Sequence, residues 1–84
     1  MIKSPIKAII MDIKRIDKIF FSSLNLKKNT NLTKLKYGQH WDSIAHMQLI
    51  SALEKKMKIA IDIEDVLDMS SYNKAIKILK KYLK

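Results

Sequence analysis

The chain has 84 residues, enough for one domain with a single modest core, and no cysteine, which excludes disulfides and cysteine-ligated metals. Its 17 basic and 8 acidic residues give a formal net charge of +9, which invites a nucleic-acid or anionic-membrane partner. Its apolar runs are too short to cross a bilayer and its first residues lack the apolar stretch of a signal peptide, so we expect a soluble cytoplasmic protein without stable membrane insertion.

The first predicted helix begins at Ser4-Pro5, because a hydroxyl can cap a helix and proline fits its first turn. Apolar residues then recur every three or four positions opposite a lysine-rich face. This stripe consists of Ile6, Ile9, Ile10, Ile13, Ile16, Ile19 and Phe20. A coiled-coil seam needs three or four heptads and the stripe covers about two, so we expect a helix of about five turns that faces a core.

A long ordered loop is predicted over residues 22–39, where the periodicity fades. Its asparagines and Gly38 favour turns, and a short turn of helix fits within it. Four leucines are spaced through it like anchors to a core: Leu24, Leu26, Leu32 and Leu35. Loops of this length are uncommon unless they serve a function, and this one leads directly to Trp41-Asp42-Ser43.

The second helix is predicted from Ser43 to Met57, with Asp42 as its N-cap. Its apolar positions recur at three- and four-residue intervals, which predicts one buried face. They are Ile44, Met47, Ile50, Leu53 and Met57. Ser43 is therefore expected in the first turn, facing solvent, beside unpaired backbone N–H groups and the positive end of the helix dipole. Such a position can hold a phosphate ester.

Two further helices are predicted after a short connection at residues 58–61. Residues 62–68 form a short helix with acids in its first turn, where the dipole favours them. Ser70 and Ser71 are candidate caps of the last helix. Its apolar face is Tyr72, Ala75, Ile76, Leu79, Tyr82 and Leu83. The predicted fold class is all-α, a small four-helix bundle with three long helices, a short third helix and a long loop between helices 1 and 2, in one domain over residues 1–84.

The triplet Asp42-Ser43-Ile44 at the start of an amphipathic helix resembles the 4′-phosphopantetheine attachment site of acyl carrier proteins. Residues 49–54, Leu-Ile-Ser-Ala-Leu-Glu, are similar to an aliphatic-aliphatic-x-Ala-Leu-Glu stretch of that family. The short acidic third helix and the serine pair before the last helix correspond as well. The resemblance extends over nearly the whole chain, and Trp41 with His46-Met47 resembles stand-alone carriers used outside housekeeping fatty-acid synthesis.

The resemblance implies a non-catalytic carrier. A phosphopantetheinyl transferase, using coenzyme A and Mg²⁺, would attach 4′-phosphopantetheine to Ser43, and Asp42 would support the site as N-cap. The thiol of the arm would hold acyl or aminoacyl groups as thioesters for loading and transferring enzymes. The pathway could be lipid, polysaccharide-modifying or secondary-metabolite synthesis, and the sequence identifies neither the pathway nor the cargo.

The resemblance also implies a surface for partner docking and a shelter for an acyl chain. The candidate docking residues are Trp41, Ile44, His46, Met47, Gln48, Glu54 and Lys55. The candidate acyl-pocket residues are Leu53, Ile61, Val66, Met69 and Ala75. For Trp41, packing of the loop against the helix is the favoured interpretation, and His46 is counted among the exposed positions.

The second helix departs from the acidic helix of bacterial fatty-acid carriers, since Glu54 is its only acid. Charge complementarity selects partners, so two versions of docking stay open. In the first, the partners present neutral or acidic surfaces. In the second, the docking charge lies in the third helix, on Asp62, Glu64, Asp65 and Asp68.

A small basic helical nucleic-acid-binding domain is the main alternative. Against it, the lysines are spread over three helices, arginine occurs once, and no aromatic-basic interleaving suggests base stacking. A membrane-surface helix over residues 5–20, a hydrolase using Ser43 and His46, a metal site at His40 and His46, and a calcium loop at residues 62–68 are less favoured. We expect no nucleic acid, no metal and a monomer, because the bundle uses up the apolar stripes.

Overall fold

The chain folds into four α-helices, described by a computed structural model over residues 5–83, with side chains from residue 10 onward. The helices are α1 (Pro5–Ser23), α2 (Ser43–Met57), α3 (Ile63–Asp68) and α4 (Tyr72–Leu79), with a 3-10 turn at Leu32–Lys34. The described residues form no β-strand, only two isolated bridges. The all-α bundle prediction is therefore confirmed, whereas the capping role of Ser4 lies outside the described residues.

The core is formed where α1 packs against α2 and the aromatic rings of the loop and of α4 close over them. Among the described side chains of α1, Ile16, Ile19 and Phe20 are buried. The Phe20 ring meets Tyr72 edge-on with 5.2 Å between ring centroids and Trp41 with 6.1 Å, both favourable aromatic geometries. The stripe is therefore buried at its C-terminal end as predicted, whereas Ile10, which was predicted to belong to it, is exposed and Ile6 and Ile9 lie outside the described side chains.

Helix α2 has the predicted limits, but the prediction of its buried face was partly wrong. The buried side chains are His46, Leu49, Ile50, Leu53 and Met57. Ile44 and Met47 are instead 71% and 56% exposed. At 100° per residue, a nine-residue separation places Ile44 about 180° around the helix from Leu53. Each three-residue step falls about 60° short of a full turn, so residues spaced only by three do not stay on one face of the helix.

The long loop is ordered and anchored by its leucines, as predicted. Leu35 is buried and the three other leucines pack against the core. Two backbone hydrogen bonds fasten the loop to the start of α4: Tyr37 N–H donates to Ser70 O at 2.8 Å, and Tyr72 N–H donates to Leu35 O at 3.2 Å. Gly38 then takes a φ of 88°, which favours glycine, and the chain turns towards Trp41.

The last two helices agree with the predicted order but differ in length. Ser71, and not Ser70, caps α4, since its Oγ accepts a hydrogen bond from Lys74 N–H at 3.1 Å. The helix ends at Leu79, and residues 80–83 continue as turns. The prediction of a long fourth helix was therefore wrong, although Tyr82 and Leu83 still pack against the core as predicted.

Seven large apolar side chains between residues 10 and 83 are exposed, so the bundle does not use up its apolar stripes. They are Ile10, Met11, Tyr37, Ile44, Met47, Ile63 and Leu67. The premise from which a monomer was predicted is thus wrong, and the monomeric state itself stays a prediction. In the part of the chain that is described, the helices are too short or too polar to traverse a lipid bilayer.

Candidate functional site

Ser43 is the first residue of α2 and is exposed to solvent. Asp42 precedes it in an extended conformation and caps the helix as predicted, because its Oδ1 accepts a hydrogen bond from Ala45 N–H at 2.9 Å. The Asp42 carbonyl accepts the next one, from His46 N–H at 2.8 Å. The hydroxyl therefore projects from a backbone that is fixed by two hydrogen bonds.

The first turn of α2 suits a phosphate ester on Ser43. The hydrogen bonds among the described residues leave the N–H groups of Ser43 and Ile44 without a partner, as is usual at a helix start. The fifteen-residue helix also directs the positive end of its dipole to this point. Open N–H donors, the dipole and an exposed hydroxyl together fit a covalently held phosphodiester.

Trp41 and His46 form a buried brace behind this serine. The indole Nε1–H of Trp41 donates to Nδ1 of His46 at 3.0 Å, and Nε2 of His46 lies 2.7 Å from the Val66 carbonyl oxygen. Because Nδ1 accepts, the ring is the neutral tautomer with its proton on Nε2, which donates to Val66. The brace ties the loop, α2 and α3 together.

The brace corrects two predicted docking residues. Trp41 is 6% and His46 8% exposed, so neither offers a docking surface. The favoured interpretation of Trp41 as a packing residue is confirmed, and the count of His46 among the exposed positions was wrong. Both ring nitrogens of His46 bond to other groups, so this histidine is not positioned as a base for Ser43.

Four of the predicted docking residues line one shallow groove that begins at Ser43. The groove has a volume of about 700 Å³ on the outer face of α2. The predicted members are Ile44, Met47, Gln48 and Lys55, and the sequence analysis missed Ser51 and Ala52. Four-residue spacing could have revealed both, since Ser51 follows Met47 and Ala52 follows Gln48 by about one helical turn.

Glu54, the other predicted docking residue, is half-buried and turned towards the end of α2. Its Oε2 accepts a hydrogen bond from Ile61 N–H at 2.9 Å, and its carbonyl accepts the N–H of the left-handed Lys58. A carboxylate used in this way stabilises the α2–α3 connection. Its assignment to the docking surface is therefore not supported by its position.

The five predicted acyl-pocket residues are all buried. They belong to the single core cluster of the described residues, with exposures between 0% and 8%. They are Leu53, Ile61, Val66, Met69 and Ala75. Their role in sheltering an acyl chain stays a prediction.

Among the acidic residues of α3 and its N-cap, one side chain forms hydrogen bonds and the others are exposed to solvent. Asp65 accepts a hydrogen bond from the Tyr82 hydroxyl and one from Lys81 Nζ at 2.9 Å. The Tyr82 bond and then the Lys81 bond hold the pKa of the Asp65 carboxyl below its usual value. Asp65 therefore clasps α3 to the end of the chain, whereas Asp62, Glu64 and Asp68 face solvent.

Neither histidine belongs to a metal site in the part of the chain that is described. Among those residues no group of three or more histidine, aspartate or glutamate side chains is placed to hold a metal ion. Nδ1 of His40 instead accepts a hydrogen bond from Lys36 N–H at 2.9 Å. His40 thus helps to close the turn before Trp41.

No protein-family model, curated protein or solved structure matches this chain. The resemblance to acyl carrier proteins therefore depends on the motif residues of the chain itself. Attachment of a group to a serine also requires an accessible hydroxyl. The capped helix start with its exposed Ser43 meets this requirement. The geometry adds a second feature as well, an outward groove that runs from that hydroxyl.

Proposed function

We propose that this protein is a carrier whose Ser43 bears a 4′-phosphopantetheine arm. The observation that supports it most directly is the exposed Ser43 hydroxyl on the first turn of α2, held by the Asp42 cap. When bound, the group would supply a thiol at the end of a flexible tether, which raises the effective concentration of a cargo at each docked enzyme. The chain itself would perform no chemistry.

The residues around Ser43 have separate tasks in this proposal. Asp42 fixes the backbone, and the open N–H groups of the first turn receive the phosphodiester oxygens. The Trp41–His46 brace keeps the loop and α3 at fixed positions behind the site. The hydroxyl would accordingly be presented at a fixed point of the surface, where a transferase can approach it.

Partner enzymes would dock on the groove beside Ser43. Ile44 and Met47 supply exposed apolar area close to the serine, and Lys55 supplies a positive charge further along. Since no acid lines this groove, partner surfaces that are neutral or acidic fit it better than basic ones. The partners would be a phosphopantetheinyl transferase and acyl- or aminoacyl-loading and -transferring enzymes, acting on a cytoplasmic monomer.

Intact-mass spectrometry tests the attachment site. The protein is incubated with coenzyme A, Mg²⁺ and a broad-specificity phosphopantetheinyl transferase. We expect a gain of one phosphopantetheine in the wild type and none in Ser43→Ala. Ser51→Ala is the matched control, because Ser51 is an exposed serine that lines the same groove. Complete labelling of Ser43→Ala, or no labelling of the wild type by several transferases, would contradict the proposal.

A further inference from the structure

A second cavity lies between α1 and α2, on the side of α2 away from Ser43. Its volume is about 450 Å³, within the range of small-molecule sites. Three cations line it, Arg15, Lys18 and Lys56, and no acid does. The remaining lining residues are two serines at the end of α1, Ser22 and Ser23, and the apolar Ile19 and Ala52, one from each helix.

Arg15 is held in place across the two helices. Its Nη2–H donates to the backbone carbonyl of Lys56 at 2.9 Å, which joins α1 to the last turn of α2. Its Nη1 is 3.9 Å from Asp12, a long contact in solvent that offsets little of its charge. Because a guanidinium has five N–H donors, several stay available to a ligand that enters the cavity.

We propose that this cavity binds a small oxyanion, a carboxylate or a phosphate. Two guanidinium or ammonium groups on facing helices can bind such a group together, and the serine hydroxyls can donate further hydrogen bonds. Carboxylates and phosphates share this recognition chemistry. The anion has two possible sources: a free small molecule, or the far end of a cargo on the Ser43 arm, in which case the site also depends on the carrier function proposed above.

The arm is long enough for the second source. Ala52 lines both the groove that starts at Ser43 and this cavity. From Ser43 to Ala52 an arm must pass nine residues along α2 and half-way around its surface. This path is roughly 21 Å long. A phosphopantetheine with a four-carbon cargo is about as long as six or seven extended residues, roughly 22 Å. The carboxylate of such a cargo would just reach Ala52, at the edge of the cavity that the three cations line.

The concave shape favours a small ligand over an acidic protein surface. The cations line a pocket together with two apolar residues, whereas the groove along the outer face of α2 is shallow and suits a protein partner. A protein would contact the outer lysines without filling the pocket between the helices. A small carboxylate or phosphate can enter it and contact Arg15 and Lys56 at once.

The first experiment tests free anions on the unmodified protein. Succinate and inorganic phosphate are titrated into isotopically labelled protein while backbone amide shifts are recorded, with succinamide as the neutral control. We expect saturable shifts at Arg15, Lys18, Ser22 and Lys56. Removing two cations in Lys18→Gln/Lys56→Gln should weaken binding roughly tenfold. The equally charged control Lys27→Gln/Lys28→Gln, in the exposed loop, should bind as the wild type does.

The second experiment tests the tethered source. A transferase loads the protein with the S-(3-carboxypropyl) or the S-butyl thioether of coenzyme A, arms of matched length that differ in the terminal carboxylate. The cargo is identified as the source if the carboxylate arm shifts the cavity amides and the butyl arm does not. These shifts should be lost in Lys18→Gln/Lys56→Gln. Shifts with free anions and none with the arm identify a free small molecule. Either result supports the site.

Three results would overturn the proposal. One is the absence of saturable shifts with both free anions and with the carboxylate arm. Another is equal weakening by both double variants, which would reveal a general effect of net charge. The third is binding of an acidic protein through these cations while small anions leave the cavity amides unchanged. Failure of arm attachment would be seen separately by mass and would remove the carrier function without affecting the free-anion experiment.

Discussion

The starts of α2 and α4 use the same capping device and then differ in the residue that follows it. Asp42 caps α2 and Ser71 caps α4, each by accepting a hydrogen bond from an N–H three residues later. The next residue is the exposed Ser43 in α2 and the buried Tyr72 in α4. The same local signal thus begins one helix at the surface and the other inside the core.

The difference follows from what covers each helix start. Tyr72 packs edge-on against Phe20, and its hydroxyl donates to Asp17 of α1 at 2.5 Å. The loop also passes over it, through the hydrogen bond to the Leu35 carbonyl. At the start of α2 the neighbouring aromatic residue, Trp41, instead turns inward and leaves the serine uncovered. A helix start is available for chemistry only where the chain does not fold back over it.

The largest expected difference in the free energy of unfolding is between truncation of the first residue of α4 and truncation of the first residue of α2. Tyr72→Ala deletes a buried aromatic ring and should lower the free energy of unfolding by about 3–5 kcal/mol. Ser43→Ala changes an exposed position and should stay within about 0.5 kcal/mol of the wild type. Denaturant unfolding measures both. A loss of several kcal/mol in Ser43→Ala would show that the two starts are not different in the way described.

A smaller and equal effect is expected from the two caps. Asp42→Ala and Ser71→Ala each leave a first-turn N–H without its acceptor and should each cost about 1 kcal/mol. Asp42→Asn retains an acceptor and should cost clearly less. Thermal unfolding of the four proteins checks the comparison. A cap variant indistinguishable from the wild type would mean that water replaces that hydrogen bond without loss.

A further effect is confined to alkaline pH and comes from the hydroxyl of Tyr72. Burial, and then the hydrogen bond to Asp17, raise the pKa of this phenol above its ordinary value. The folded protein therefore keeps a proton that the unfolded chain releases from about pH 10, the usual phenol pKa. The stabilisation is fully present below that pH and is lost as the pH rises further.

Tyr72→Phe isolates this contribution, because it keeps the ring and removes the titrating group. We expect the free energy of unfolding of the wild type to fall more steeply above about pH 10 than that of Tyr72→Phe. Tyr82 and Lys81, whose pKa values are also raised by their bonds to Asp65, are present in both proteins and cancel in the difference. Parallel curves would disprove the assignment to Tyr72.

Local signals predicted the start of α2 and α4 and the end of α2 well, and the end of α4 and the buried faces less well. Asp42 and Met57 delimit α2 as its capping residue and periodicity indicated. The predicted inward position of Ile44 failed because repeated three-residue steps drift around the helix, and only packing against the rest of the chain decides which face is buried. His46 shows the converse, since a polar residue is buried once its two nitrogens find Trp41 and Val66.

The amino-acid sequence by itself determined the number and order of the helices, the Asp42 cap and the position of Ser43 in a first turn, because these depend on interactions within about one helical turn. Only the tertiary structure decided that Ser43 is exposed while Tyr72 is buried, that Trp41 and His46 brace the loop, and that Arg15 spans α1 and α2. Those features join residues distant in the chain, and no local pattern of residues specifies which of them meet.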